Sequence, residues 1–269
     1  MLYLLILIAF VLLLLLGLPV AFTLGILGAA ILFLYLDPAM ASMQIPQVMY
    51  NAMNNSLLLA IPAFILTGQV IFHSGIGSKA FYAADKWFGH FPGGLAIATV
   101  VTCAFFATMS GSSIATLLTI GYIASAEMIR NGYSKELAYG VIASAGTLGI
   151  LIPPSGPMIL YGAMTQESVS GLFMAGIVPG ILLVLLFVLY IVLGESRKLV
   201  RRPRASWEER TSSVKEIAWF FLLPVIIIGG IYSGFFTVTE SASVAFIVSL
   251  VLAAFVYRSV GWKQFFEIL

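Results

Sequence analysis

Apolar residues in this chain run in long blocks. They neither alternate nor recur on one narrow face. Residues 2–36 are apolar throughout, and further blocks cover 52–72, 94–128, 137–165, 170–194, about 217–235 and 240–257. A membrane-crossing helix needs about 20 consecutive apolar residues, so the pattern predicts an all-α polytopic membrane protein. Strands of a transmembrane β-barrel would alternate apolar and polar positions, and these blocks do not. Residues 2–36 exceed one upright crossing and are read as a single long crossing, kinked or broken at Gly17-Leu18-Pro19. Between the blocks, 73–92 is amphipathic and carries Lys79, Lys86, Trp87 and Phe88, the pattern of an arm lying in the membrane interface. Residues 195–216 read as the one hydrophilic loop.

Composition narrows the class further. Of 269 residues, 61% are apolar and 9% charged, against about 25% charged in soluble domains. So few charges cannot coat a water-exposed surface. A soluble enzyme, a nucleic-acid binder and a disordered chain are excluded, and the lipid bilayer is the solvent. The first residues have no basic region and no small-residue cleavage site, so they read as a retained span, not a cleaved leader. A single cysteine, Cys103, leaves no intrachain disulfide to consider.

Charge placement sets topology. Arg197, Lys198, Arg201, Arg202, Arg204, Arg210 and Lys215 put seven of thirteen basic residues into 195–216, which makes that loop cytoplasmic. The others lie at Lys79 and Lys86, Arg130 and Lys135, and Arg258 and Lys263. If all four regions share the cytoplasmic side, block 94–128 has both ends there. It must enter and return, as a re-entrant hairpin with Ser110-Gly111-Ser112-Ser113 at its tip.

Irregular backbone at that depth is tolerated only where it is buried in protein or lines a cavity. Ser110, Gly111, Ser112 and Ser113 offer hydroxyl and carbonyl oxygens suited to Na⁺, and a helix starting near Ile114 aims free N–H groups at an anion. A close small-residue helix contact is the structural alternative. The second candidate is Gly146-Thr147 through Pro153-Pro154-Ser155. Tandem prolines remove N–H donors and force the helix to unwind, and Ser155 is a good N-cap for a new helix. Discontinuous helices of this kind build midplane sites in secondary transporters; a simple proline kink is the alternative. Thr237-x-x-Glu240 reads as a capping box, with a proton-carrying intramembrane carboxylate as the sharper alternative. Glu127 with Arg130 reads as an i,i+3 pair. Asn51, Asn54 and Asn55 could line a cavity or bond between helices. His73 and His90 lack neighbours for a metal site. No H-E-x-x-H, G-x-S-x-G or phosphate-loop pattern is present, so an enzyme has no support.

The order span, span, basic-aromatic segment, hairpin, broken helix, span occupies 1–194. After the loop 195–216, residues 217–269 begin it again, with Trp262-Lys263-Gln264-Phe265-Phe266 echoing the earlier arm. Four crossings separate the two starts, which makes the repeats parallel.

Taken together, Ile61-Pro62-Ala63-Phe64 with Gly68, Ser110–Ser113 with Ala115, Gly132-Tyr133, Ser144-Ala145-Gly146 through Ser155, Leu172-Phe173 with Ala175-Gly176 and Pro179-Gly180, and Gly229–Tyr232 with Gly234 through Glu240 resemble the large membrane subunit of tripartite ATP-independent periplasmic (TRAP) transporters, the DctM-like family. The resemblance implies an ion-transporter-superfamily-like helical fold and an elevator mechanism in a bacterial inner membrane. It implies sodium-driven import of an organic acid such as a C4-dicarboxylate or sialic acid. Implied partners are a small membrane subunit and a periplasmic substrate-binding protein, with Na⁺ as coupling ion and no other cofactor. Sodium and substrate would be held at Ser110–Ser113 and between Gly146 and Ser155. The family's repeats are inverted, which would require either that 2–36 crosses twice or that a boundary lies elsewhere. Val238 stands where the family usually has proline, and the second hairpin and second broken helix do not occur in this sequence. A truncated, non-transporting scaffold and a carboxylate symporter independent of a binding protein are the alternative readings.

Overall fold

A computed structural model describes residues 2–194 and 202–259. Among them the regular structure is all helical. Five segments are long and apolar enough to cross a membrane: Ser56–His73, Lys135–Thr165, Val169–Leu193, Trp207–Tyr232 and Val238–Val256. The protein is an all-α polytopic membrane protein.

The chain forms two compact units, Met1–Asn55 and Ser56–Leu269. This is not the division at 195–216 read from the repeat. In the first unit the apolar run 2–36 is two helices, α1 (Leu2–Leu15) and α2 (Val20–Tyr35), followed by α3 (Pro38–Met53). Gly17 takes φ +82°, and the Leu18 N–H donates to the Leu13 carbonyl at 3.2 Å, an αL closure that ends α1. Pro19 then starts α2 without an N–H to satisfy. The single long crossing expected for 2–36 is therefore divided at Gly17–Pro19. Asn51 and Asn54 are exposed.

The second unit begins with α4 (Ala60–His73) and α5 (Ile76–Phe88). The arm α5 buries Ile76, Ala80, Phe81 and Ala84 on one face and packs on α6 (Gly94–Ser110). Helix α6 turns at Gly111-Ser112 into α7 (Ser113–Arg130). The two run antiparallel. Thr99 Oγ1, near the start of α6, lies 3.6 Å from Met128 Sδ, near the end of α7. The next crossing is in pieces: α8 (Lys135–Gly146), α9 (Leu148–Leu151) and, after Pro153-Pro154, α10 (Gly156–Thr165). Helix α11 (Val169–Leu193) follows.

The segment read as a hydrophilic loop is helical in its second half. Helix α12 (Trp207–Ile217) starts from a complete capping box: the Ser206 hydroxyl accepts from the Glu209 N–H, and the Glu209 carboxylate accepts from the Ser206 N–H. Ser206-x-x-Glu209 has the same spacing as Thr237-x-x-Glu240 and was hidden among basic residues. Arg197, Lys198, Arg201 and the arm-like 262–266 lie outside the described residues. Helices α13 (Leu222–Tyr232) and α14 (Val238–Val251) complete the unit, and α14 lies along α4. Thr237 and Glu240 form the capping box at the start of α14.

Charged contacts gather at one end of this unit, called here the basic end. Lys86 meets Glu209 at 3.0 Å. Arg202 pairs with Asp85 through Nη1 and with Glu127 through Nη2, the latter at 2.7 Å. Arg130 lies 3.7 Å from Glu127. Lys79 sits over the Tyr257 ring, and the Tyr257 hydroxyl donates to the Glu216 carbonyl at 2.8 Å. These contacts join the arm, the base of the α6–α7 hairpin and the entry to α12.

Losing the Ser206 cap should be measurable. Ser206→Ala is expected to lower stability by about 1 kcal/mol, seen as a lower Tm in detergent. Ser206→Asp, which also caps, should keep the wild-type Tm. An unchanged Tm in the alanine variant would show that α12 does not depend on this cap.

Candidate functional site

The break in the hairpin and the break in the next crossing meet. Gly111 ends α6 at φ +59°, a left-handed conformation that a side chain strains. Its carbonyl accepts the Gly156 N–H, the first of α10, at 3.2 Å. A Cβ on Gly111 would stand 3.1 Å from the Pro154 carbonyl oxygen. Gly149 in α9 lies against the start of α7: a Cβ there would come within 2.8 Å of Ser113 N and Cα. From the third side α4 presents Gly68, whose Cβ would fall 3.1 Å from Ser110 Cβ. Behind the unwound segment, Gly176 and Gly180 of α11 accept Leu151 and Ile152 just as closely. The junction is close-packed backbone.

Hydroxyl groups lock the tip. Ser110 and Thr116 share a 3.2 Å hydrogen bond, and the Thr116 hydroxyl donates to the Ser112 carbonyl at 2.8 Å. Ser112 caps α7, its Oγ accepting from the Ala115 N–H at 3.3 Å. Ser155 sits at the N-cap position of α10 but does not cap with its side chain. Its hydroxyl donates instead to the Ile150 carbonyl at 2.5 Å. That carbonyl is freed because Pro154, four residues on, has no N–H to offer. Ser155 therefore closes the end of α9, and α10 is left without a side-chain cap.

A groove of about 580 Å³ opens beside the junction. Its floor is the backbone of Gly111, Ser112, Ser113 and Gly156, and its walls are apolar, from Ile61, Ile65, Leu160 and Tyr161. The first turns of α7 and α10 both line the groove; α7 brings the positive end of its dipole there, whereas the first N–H of α10 is taken by the Gly111 carbonyl and Pro157 has none. An apolar cleft with a few convergent polar groups is the usual form of a small-molecule site.

The nine residues singled out in the sequence do not all lie at this floor. Ser110, Gly111, Ser112, Ser113, Pro153, Pro154 and Ser155 surround the junction. Gly146 instead faces Leu117, its Cβ position 3.2 Å from that side chain, and the exposed Thr147 spends its hydroxyl on the Ser144 carbonyl at 2.6 Å. Sequence reasoning missed Thr116, four residues after Ser112 and one turn along the same face. It also missed the specific need for glycine at 149.

At the basic end, Asp85 is buried. Its Oδ2 meets Arg202, while Oδ1 has no hydrogen-bond partner among the described residues. Burial is the larger influence and holds its carboxyl above the usual range, despite the Arg202 guanidinium.

Comparison with known proteins adds family information. A family model described as "Tripartite ATP-independent periplasmic transporter, DctM component" matches residues 7–269. The chain is 46% identical over 248 residues to the C4-dicarboxylate TRAP transporter large permease protein DctM of Vibrio cholerae, covering 91% of this chain and 54% of that protein. It is 44% identical over 244 residues to the protein of the same description in Pseudomonas aeruginosa, covering 90% and 56%. It is 36% identical over 254 residues to the sialic acid TRAP transporter large permease protein SiaM of Vibrio cholerae, covering 94% and 59%. The chain thus spans a little over half the length of these relatives.

Proposed function

Because the chain belongs to the DctM component family of tripartite ATP-independent periplasmic transporters, we propose that it acts in a large permease subunit that imports an organic acid across a bacterial inner membrane. The groove beside Gly111 and Gly156 carries this reading, because the start of α7, whose dipole favours an anionic group, lines it. Relatives named for C4-dicarboxylate and sialic acid transport fit such a floor, and a C4-dicarboxylate is the favoured substrate class. Sodium is the proposed coupling ion. Ser110, Gly111, Ser112, Pro154 and Ser155 border the junction and carry hydroxyl and carbonyl oxygens, hard ligands of the type Na⁺ takes. A small TRAP membrane subunit and a periplasmic substrate-binding protein are the proposed partners. The protein does no covalent chemistry in this scheme: it orients the acid, excludes water and moves it.

The test is uptake of a radiolabelled C4-dicarboxylate into proteoliposomes that hold the protein with its small subunit, with binding protein outside. Uptake is expected with external sodium, and only background when choline replaces sodium or the binding protein is omitted. Equal uptake in sodium and choline would remove sodium coupling. Undiminished uptake without binding protein would remove the tripartite assignment.

A further inference from the structure

At the basic end, three cations among the described residues have an acidic partner: Lys86, Arg130 and Arg202. Arg202 is paired with Asp85 and Glu127, and Lys86 with Glu209. Arg210 meets no carboxylate among the described residues, although it is only 4% exposed. Its guanidinium carbon lies 5.8 Å from the ring centroid of Trp87 and 5.7 Å from that of Trp207. The two indoles meet edge to face, 6.0 Å apart. Trp87 Nε1 donates to the Arg210 carbonyl at 3.3 Å, which fixes α12 against the arm. Arg210 Nε has no hydrogen-bond partner among the described residues, and one Nη lies 3.5 Å from His90 Nδ1.

A buried guanidinium needs more compensation than two ring faces supply, because desolvation outweighs cation–π attraction. The charge around it is of the same sign. Arg204 is exposed and close enough to act on His90. Burial first, and then Arg210 and Arg204, hold the His90 imidazole below its usual range. The His90 ring also hydrogen-bonds the Trp87 backbone, which holds the imidazole beside Arg210 at the edge of the site. Glu209 is already occupied by Lys86 and the Ser206 N–H, and Glu208 is exposed in the first turn of α12. Trp207, 67% exposed, stands at the rim as an interfacial tryptophan does.

We propose that His90, Arg204 and Arg210, walled by Trp87 and Trp207, bind a phosphate-bearing anion at the basic end of the protein. Arg204 and His90 contact its oxygens directly, and Arg210 supplies the positive charge beneath them. The anion's charge offsets a guanidinium that meets no carboxylate among the described residues. An anionic phospholipid headgroup and a soluble phosphate offer the same chemistry, and the arm α5 brings the site to the interface where the first is abundant.

The experiment is thermal unfolding of the detergent-solubilised protein with phosphatidylglycerol, with inorganic phosphate, or with chloride at matched ionic strength. A Tm rise of several degrees over chloride is expected with phosphatidylglycerol, because a ligand bound only to the native state stabilises it. The His90→Ala/Arg204→Ser variant should lose most of that rise while keeping its Tm in chloride, since both side chains lie outside the packed core. A rise confined to phosphatidylglycerol assigns the lipid headgroup. A rise of the same size with inorganic phosphate, lost in the double variant, assigns a soluble phosphate. No rise with either, or a rise fully retained in the double variant, overturns the proposal.

Discussion

Uptake is expected to fall about tenfold or more in a Gly149→Ala variant that still reaches the membrane. The added methyl would stand 2.8 Å from Ser113 N and Cα and 2.9 Å from Ser112 C. All three are main-chain atoms that no rotamer change can move aside. Overpacking of this kind costs roughly 1–3 kcal/mol, and the atoms that must yield are those that aim the start of α7 into the groove. Moving the hairpin tip would also stretch the 3.2 Å bond between Gly156 N and Gly111 O. Gly140→Ala is the control. It lies in the neighbouring helix α8 with nothing within 4 Å of its Cβ position, and alanine there should leave uptake intact and raise stability by up to about 1 kcal/mol. The two variants are compared by initial uptake rate per surface-labelled protein. Wild-type uptake by the Gly149 variant would mean that the junction tolerates separation and does not shape the route.

Arg202→Met should carry the largest stability cost at the basic end. It leaves two largely buried carboxylates, Asp85 and Glu127, facing each other without their shared cation. Breaking a buried pair from one side costs about 3–5 kcal/mol, and the partial exposure of Arg202 brings the expectation here down to roughly 2 kcal/mol. The loss should depend on pH. Burial raises the folded-state pKa of Asp85 above its unfolded value, so the native protein holds this proton more tightly than the unfolded chain does. The associated stability is fully present below the unfolded pKa and disappears as pH rises through the folded pKa. Removing Arg202 deletes an influence that lowers the Asp85 pKa, so the variant should lose more stability than the wild type on going from acidic to alkaline buffer. Asp85→Asn in the same background should recover much of the deficit. A Tm difference that is equal at pH 5 and pH 8, and unrelieved by Asp85→Asn, would show that Arg202 acts by packing alone.

These two sites differ in how far local sequence announces them. The breaks at Ser110–Ser113 and Pro153–Ser155 are visible as small residues and prolines inside apolar runs, because interrupting a helix in lipid requires specific residue types. The antiparallel path of α6 and α7 is equally visible, since basic residues flank both ends of one apolar block. Thr237 and Glu240 declare a cap by spacing alone. Long-range partners leave no such trace. Arg202 finds Glu127 75 residues away and Asp85 117 residues away, and in the sequence it is one of seven cations that look alike. The cap at Ser206 is as legible as the one at Thr237, but the surrounding charge favours reading a loop. Gly149 sits in plain view within the unwound stretch, and its reason for being glycine exists only once Ser113 is folded against it. The expectation that Ser155 caps α10 failed because Pro154 creates a nearer, needier acceptor at Ile150.

The placement of the break in Lys135–Thr165 also has an electrical consequence. As one continuous helix its 31 residues would be about 46 Å long at about 1.5 Å per residue, well beyond a hydrocarbon core of about 30 Å. Divided as it is, α8 and α10 have 12 and 10 residues, or about 18 Å and 15 Å, each close to half that thickness. In a segment crossing upright, lengths of this size would set the junction with the hairpin tip near half the electrical distance across the bilayer. A sodium ion bound there, as proposed above, would traverse about half of the membrane field, about 1.2 kcal/mol for every 100 mV. Its occupancy would then change with voltage by nearly an order of magnitude over that range.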